Sequence, residues 1–165
     1  MQLREVYASR FEHPVVSGSV FGYRWFVFAV VLGDDDSSTR RRFEELGINV
    51  KSDNILAHKE IIEYLNKERK VFSVIPKFLW GTPFQKRVWY ETSLIPYGSV
   101  ITYSELARRC GKPSAVRSVA SALGANPIPI IIPCHRVVGK NGDLGGFSAG
   151  IDVKRKLLEL EGIKL

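Results

Sequence analysis

The segment from Asn126 to Val137 constrains this chain more than any other part of its sequence. It holds an apolar run framed by prolines and contains the only Cys-His dipeptide, Cys134-His135. Such a run predicts a buried, rigid segment, so the thiol and the imidazole should occupy fixed positions. A thiol reacts as the thiolate, and an adjacent imidazole can accept its proton. The dipeptide therefore predicts either a reactive cysteine or a buried structural cysteine beside a surface histidine.

A predicted C-terminal helix supplies two more charged groups for this chemistry. Asp152 is predicted to cap the helix and Gly162 to end it, with Lys154 and Glu161 on a face that is otherwise apolar. Because a buried charge is costly without a partner, we expect Glu161 to pair with His135 and to support its tautomer. Alternatively, Glu161 frays into water, and the stem of Lys154 passes the leucines to reach solvent.

Two short helices upstream of that segment match a helix-turn-helix. A capping box at residues 102–105 predicts the start of the first helix, which should end at Gly111. The second helix should run from about residue 114 to residue 123, with Arg117 as the one long side chain on its outer face. That face predicts close approach to a nucleic-acid backbone with little sequence selectivity, although a repressor or a merely solvated helix would also fit. The inner face is predicted to hold Val116, Val119, Ala120 and Leu123.

The chain as a whole predicts an α+β fold with two domains, residues 1–76 and residues 77–165. Strands are predicted around Val15–Phe21 and over Gly22–Leu32, followed by a helix within Asp53–Glu68, which makes a small sheet-plus-helix domain. The second domain is predicted to be mostly helical and to contain the helix-turn-helix. Its first helix should begin at a second capping box and bury Phe84, Val88, Trp89 and Leu94.

Positive charge is concentrated in the second half of the chain. Residues 1–80 carry twelve Lys or Arg and eleven Asp or Glu, a net of +1, whereas residues 81–165 carry twelve and six, a net of +6. This charge distribution predicts either a polyanionic partner, most simply a nucleic acid, or a basic protein that has no such partner.

The longest apolar run, Phe26–Leu32, is far shorter than the roughly 20 residues of a membrane span. Two cysteines and no signal-peptide pattern predict a cytoplasmic protein.

Motif, order and spacing over about Gly81–Gly162 resemble the O6-alkylguanine-DNA alkyltransferases, also called methylated-DNA–protein-cysteine methyltransferases. The matching motifs are GTPFQKRVW, IPYGSVITYSELA, AVRSVASALGANPIPIIIPCHRV, and GGFSAG followed by KRKLLELEG. The resemblance implies direct DNA repair by a monomer that binds duplex DNA through the minor groove, without sequence preference. A flipped-out O6-alkylguanine, or an O4-alkylthymine, would give its alkyl group irreversibly and once to Cys134, and no cofactor would be needed.

The resemblance also implies roles for individual catalytic residues. Cys134 would be the nucleophile and alkyl acceptor, His135 would take its proton through a water, and Glu161 would orient the imidazole. Tyr103 would help to rotate the nucleotide and would protonate the departing guanine at N3, with support from Lys154. Asn126 would brace the turn between the second helix of the helix-turn-helix and the active-site segment.

The same resemblance implies how the base and the duplex are held. The carbonyls of Cys134 and Val137 would accept from the exocyclic amine of guanine, and Ser148 would donate to O6. Arg117 would fill the gap left in the base stack. The substrate pocket would be lined by Tyr103, Cys134, Val137, Phe147 and Ser148. The DNA contacts would come from Tyr103, Ser114, Ala115, Arg117, Ser118 and Ser121.

Two features depart from the pattern of that family. Phe147 stands where a tyrosine is common, so the pocket is predicted to be more apolar. Some relatives bind zinc in the N-terminal half, but here that half offers His13 and His58 without a cysteine, so no metal site is predicted. A non-enzymatic helix-turn-helix DNA-binding protein and a Cys-His hydrolase with turnover are the alternative functions.

Overall fold

Strands rich in β-branched and aromatic residues and helices with apolar stripes together make an α+β chain, as predicted. The computed structural model describes residues 2–165, and the chain divides after Lys77 into a first unit and a second unit, Phe78–Leu165. None of the helices within residues 2–165 has both the length and the hydropathy of a membrane span.

The first unit is built on a mixed sheet. Its elements are β1 (Glu5–Phe11), β2 (Gly18–Tyr23), β3 (Phe26–Leu32), α1 (Ser37–Glu45), β4 (Asn49–Ser52), α2 (Leu56–Leu65) and β5 (Ile75–Pro76). The strand order is β4-β1-β2-β3-β5, with antiparallel pairs in the centre and parallel pairs at both edges. Phe43 on α1 stacks on Phe21 at 5.3 Å between ring centroids, and α2 buries Ile61 and Tyr64.

The long strand predicted over Gly22–Leu32 is wrong, because the chain reverses direction inside it. Gly22 belongs to β2, and Tyr23 pairs with Phe26 across a two-residue hairpin turn. Arg24, the first residue of that turn, has a φ of 57°, the left-handed conformation that such turns require. Asparagine and glycine usually supply this conformation, and neither stands in the turn, so the aromatic run gave no sign of the reversal.

The second unit contains four helices and two short strands. Its elements are α3 (Pro83–Ser93), β6 (Ile101–Thr102), α4 (Tyr103–Arg109), α5 (Val116–Gly124), β7 (Val137–Val138) and α6 (Ile151–Leu160). The capping box of α3 is confirmed, since Gln85 N donates to Thr82 Oγ1 at 3.1 Å and Thr82 N donates to Gln85 Oε1 at 2.9 Å. Leu94 was predicted to face inward, but it lies just past the end of α3 and is 54% exposed.

Helices α4 and α5 form the predicted helix-turn-helix, with small differences in detail. Thr102 caps α4 by accepting from Glu105 N at 3.1 Å, while the Glu105 carboxylate turns to arginines on its own helix. The inner face of α5 holds Ala122 in place of Ala120, which is exposed. The carbonyl of Ala122 accepts from Trp89 Nε1 at 2.7 Å, and this bond ties α5 to α3.

Removing the N-cap of α3 should destabilise the protein measurably. We expect Thr82→Ala to lower the free energy of unfolding by about 1 kcal/mol, because the amide of Gln85 then loses its acceptor. Urea denaturation followed by circular dichroism measures the change. The matched control is Ser104→Ala, an exposed residue in the first turn of α4, which should change stability by less than about 0.5 kcal/mol. Equal losses in the two variants would contradict the prediction.

Candidate active site

The proline-framed segment is buried and held from within by one amide side chain. Asn126 Nδ2 donates to the Ile132 carbonyl at 2.9 Å, and Asn126 Oδ1 accepts from Ile128 N at 2.9 Å. Ile130 between them has a φ of 73°, a conformation that a β-branched residue adopts only when its surroundings impose it. The segment then ends in a 3₁₀ turn over Cys134–Arg136, which is buried throughout. The predicted rigidity therefore has a specific cause, the side chain of Asn126.

A two-strand ladder connects this segment to the start of the helix-turn-helix. β7 pairs in parallel with β6, with Ile101 opposite Val137 and Thr102 opposite Val138. Tyr103 follows β6 directly as the first residue of α4. The ladder therefore fixes the phenol of Tyr103 relative to the thiol that precedes β7.

His135 is fully buried and bonds to a carboxylate on the C-terminal side of α6. Its Nε2 lies 2.6 Å from Glu161 Oε2, so Glu161 takes the histidine partner that we expected. The alternatives of a frayed glutamate and a surface histidine are thereby excluded. Sequence reasoning missed Arg136, whose Nε donates to Glu161 Oε1 at 2.8 Å and whose Nη1 donates to the Ile95 carbonyl at 2.7 Å. Gly98 N also donates to Glu161 Oε1, at 2.9 Å.

These donors set the charge of the carboxylate and the tautomer of the imidazole. Burial by itself would raise the pKa of Glu161, but the hydrogen bonds from His135 and Arg136 hold this pKa at about 2. Burial lowers the pKa of His135, and Glu161 opposes that shift. The imidazole is therefore neutral at rest, with its proton on Nε2 facing the carboxylate. Nδ1 is then the ring nitrogen that can accept a proton.

Lys154 is buried completely and points into the site. Its Nζ donates to the Val137 carbonyl at 2.7 Å and to the Gly146 carbonyl at 3.2 Å, and lies 3.5 Å from Tyr103 Oη. Burial lowers its pKa to about 8, so most of the ammonium form persists at neutral pH. The alternative in which its stem reaches solvent is wrong. The Val137 carbonyl, predicted to bind a base, already accepts one bond and keeps one lone pair.

Cys134 is a buried residue, 7% exposed in total. Burial raises its pKa, while a hydrogen bond from Asn126 and the positive charge of Lys154 act in the opposite direction. The resting side chain is therefore the thiol, and the neighbouring groups favour the thiolate once the proton has an acceptor.

A cavity of about 210 Å³ opens beside this thiol. Of the residues predicted for the pocket, Tyr103, Cys134, Phe147 and Ser148 line it. Val137 does not line it, because it is fully buried and its carbonyl accepts from Lys154. The lining residues that sequence reasoning missed are Ala120, Leu123, Gly124 and Gly146. Sites for drug-sized ligands measure about 300–1,000 Å³, so this cavity suits a single planar ring system. A larger cavity of about 780 Å³ lies in the first unit and contains none of the predicted site residues.

The residues predicted to contact DNA lie on and just before α5. Ser114, Arg117, Ser118 and Ser121 are exposed, and Ala115 is half-buried. Arg108 and Arg109 on α4 share the Glu105 carboxylate, whereas none of the ion pairs within residues 2–165 includes Arg117. The structure thus brings these residues to one exposed face and places Tyr103 in the cavity.

The two other histidines make polar contacts within the first unit. His13 Nε2 lies 2.9 Å from Asn66 Oδ1, and His58 Nδ1 lies 2.5 Å from Ser9 Oγ. In the part of the chain that the structure describes, no group of three or more histidines, cysteines or acids is placed to hold a metal ion.

Comparisons with known proteins all match methyltransferases that act on methylated DNA. Residues 83–163 match the family described as 6-O-methylguanine DNA methyltransferase, DNA binding domain. The chain is 49% identical over 102 residues to the inducible methylated-DNA–protein-cysteine methyltransferase of Bacillus subtilis, covering 62% of this chain and 56% of the relative. It is 51% identical over 100 residues to the methylated-DNA–protein-cysteine methyltransferase of Haemophilus influenzae, covering 61% and 56%. The crystal structure of Mycobacterium tuberculosis OGT in complex with DNA matches with a TM-score of 0.82 at 34% identity, covering 94% of this chain and 92% of that chain.

These matches confirm the resemblance seen in the second half of the sequence. The aligned part of this chain spans little more than half the length of the two bacterial relatives. The mycobacterial structure matches nearly the whole chain, including most of residues 1–80, where the sequence carried little signal.

Acid should destabilise the protein through Glu161. Its pKa of about 2 in the folded state lies below the ordinary value of 4.5, so its contribution is complete above pH 4.5 and is lost as the pH falls towards 2. The full contribution is roughly 3 kcal/mol. Urea denaturation at several pH values measures it. Glu161→Gln, which cannot ionise there, should show a shallower loss of stability between pH 4.5 and 2, and an unchanged slope would contradict the prediction.

Proposed function

Because the chain belongs to the O6-methylguanine DNA methyltransferase family, we propose that it repairs DNA by taking the O6-alkyl group of guanine onto Cys134. One observation carries this proposal: Cys134 lines a cavity of about 210 Å³, and the next residue, His135, is hydrogen-bonded to the Glu161 carboxylate. The transfer uses one protein molecule for each lesion, since a thioether does not release its alkyl group under ordinary conditions. O4-alkylthymine is a second substrate of the same chemistry.

In the proposed reaction, one proton transfer precedes the alkyl transfer and a second accompanies the departure of the base. The Cys134 proton passes through a water to His135 Nδ1, and Glu161 stabilises the imidazolium that forms. The thiolate attacks the alkyl carbon, the S–C bond forms, and the C–O6 bond breaks with its electron pair moving into the guanine ring. Tyr103 gives its proton to N3 of the departing base, which removes the developing negative charge. The immediate products are alkyl-cysteine, guanine protonated at N3, an imidazolium at His135 and a phenolate at Tyr103. Proton exchange with water then returns both side chains to their resting forms and moves the guanine proton from N3 to N1.

Lys154 supports both proton steps from one position. Its ammonium is close enough to Cys134 to favour the thiolate, and it lies 3.5 Å from the Tyr103 hydroxyl. Burial raises the pKa of Tyr103, so this phenol carries its proton when the base arrives. A nearby cation stabilises the phenolate left behind, which makes Tyr103 a stronger acid during transfer than it is at rest.

The cavity lining matches a flat, partly polar base. Phe147 offers an apolar ring face, and Ser148 supplies a hydroxyl to donate to O6 of the base. The Cys134 carbonyl and the remaining lone pair of the Val137 carbonyl accept from the exocyclic amine. Phe147 has no hydroxyl, so the wall that it forms is more apolar than a tyrosine would make it.

The proposal includes duplex DNA as the partner, bound through the minor groove by a monomer. A base stacked in a duplex must be extruded to reach the cavity, at a cost of a few kcal/mol. Arg117, which has no carboxylate partner among the described residues, is the side chain suited to fill the gap, and the small residues around it allow α5 to approach the backbone. The mycobacterial relative with a similar structure was crystallised with DNA. Two unbridged cysteines favour a cytoplasmic location.

Mass spectrometry of the intact protein tests the alkyl transfer. After incubation with duplex DNA that carries O6-methylguanine, the protein should gain the mass of one methyl group in place of one hydrogen, and never more than one. The adduct should map to Cys134, and Cys134→Ser should gain nothing. Cys110→Ser is the matched control, since it removes the other thiol and should react like the original protein.

The alternative functions give different results in the same experiment. A non-enzymatic helix-turn-helix protein binds the duplex and gains no mass. A hydrolase releases product continuously without retaining an adduct. Either result overturns the proposal.

Arg117 should matter for DNA and not for the chemistry. We expect Arg117→Ala to slow repair of duplex DNA at least tenfold, because the gap in the base stack stays open and costs the order of the few kcal/mol of unstacking. Its reaction with free O6-benzylguanine should be unchanged. Arg41→Ala, which removes an exposed arginine of the first unit, is the control for net charge. Equal losses on both substrates would refute the assigned role.

A further inference from the structure

The tip of the β2–β3 hairpin carries a cluster of aromatic rings, of which one is exposed and the others are half-buried. Trp25, in the turn, is 50% exposed, and its ring lies 6.0 Å from that of Phe26. On the other side of the turn, Tyr23 stacks on Tyr7 with 6.0 Å between ring centroids and 18° between their planes. A cluster of aromatic rings that reaches the surface marks a binding surface more often than a single scattered ring does.

Two cations lie over these rings. The guanidinium of Arg24 is 5.3 Å from the Tyr23 ring centroid and 5.9 Å from that of Trp25, and Lys77 Nζ is 5.4 Å from the Phe26 ring. Within residues 2–165, no ion pair includes Arg24 or Lys77. Four other cations of the first unit, Arg10, Arg40, Lys51 and Arg69, are paired with carboxylates.

The backbone holds this arrangement in place. Tyr23 and Phe26 are register partners across the turn, so their directions are fixed by the sheet. The Trp25 carbonyl accepts from Ile75 N at 2.8 Å, which joins the turn to the edge strand β5. The rings and cations therefore form a prepared surface whose side chains lose little freedom when a ligand binds.

We propose that this hairpin tip, formed by Tyr7, Tyr23, Arg24, Trp25, Phe26 and Lys77, binds unstacked bases of single-stranded DNA. Aromatic rings that stack on bases and cations that contact the phosphates are the combination used by single-strand binding sites. A protein partner with an apolar core would have to bury two cations that form no ion pair within the described chain. The charge therefore favours a polyanion. This site lies outside the cavity beside Cys134 and goes beyond the proposed function.

Titration of the full chain with a short oligothymidylate tests this surface. Stacking on Trp25 should quench tryptophan fluorescence, and Trp25→Ala should weaken binding about tenfold, as expected for the loss of one stacked base. Leu46→Ala, which truncates another exposed apolar residue of the first unit, is the matched control. Arg24→Gln should weaken binding and make it less sensitive to salt, whereas Arg41→Gln should not.

Several results would overturn this inference. Equal oligothymidylate affinity in Trp25→Ala and Leu46→Ala would do so. So would sedimentation showing that Trp25→Ala abolishes self-association without changing oligothymidylate affinity, since the surface would then join two copies of the chain. Reaction of Trp25→Ala with free O6-benzylguanine should be unchanged. Alkyl transfer by the original protein is measured separately, so failure of the proposed function is distinguishable from failure of this one.

Discussion

The geometry of the site depends on one buried carboxylate being charged. Removal of Glu161 from water would by itself favour its neutral form. It stays ionised because His135, Arg136 and the backbone of Gly98 all donate to it. Loss of Arg136, the cationic donor, would leave a charge poorly balanced in a low dielectric, which costs several kcal/mol. Arg136 also bonds to the Ile95 carbonyl. The same carboxylate that sets the histidine tautomer therefore joins the end of α6, the turn that carries the thiol and the loop after α3.

Some features of the fold and the site could be predicted because the chemistry of one residue type allows only one arrangement. The capping box of α3 was found because Thr82 and Gln85 satisfy each other locally. The partner of Glu161 could be predicted because a carboxylate on an apolar helix face needs a hydrogen-bond donor, and the imidazole of His135 can donate to it. The pairing of these side chains is seen in the structure, while their catalytic roles and those of the DNA-contacting residues are part of the proposal.

Other features depend on distant parts of the chain and left no local signal. Arg136 resembles any other basic residue in the sequence, and only the folded chain brings it to Glu161. Ala120 was placed in the core because a methyl group fits a buried face and a cavity wall equally well. The hairpin turn at Arg24 was missed because a non-glycine residue adopts a left-handed backbone there, held by pairing on both sides. Tertiary contacts outweigh local preference in each of these cases.

At Ile130, backbone strain and burial of the side chain affect stability in opposite directions. Its left-handed backbone costs about 1–2 kcal/mol for a residue with a side chain. Glycine would remove that cost, but it would also empty a site where the side chain is only 1% exposed, a loss of several kcal/mol for an isoleucine. The stability lost with the side chain exceeds the strain relieved in the backbone, so relaxing the backbone would not make the protein more stable. Attempts to engineer thermostability would therefore gain more from positions outside this segment.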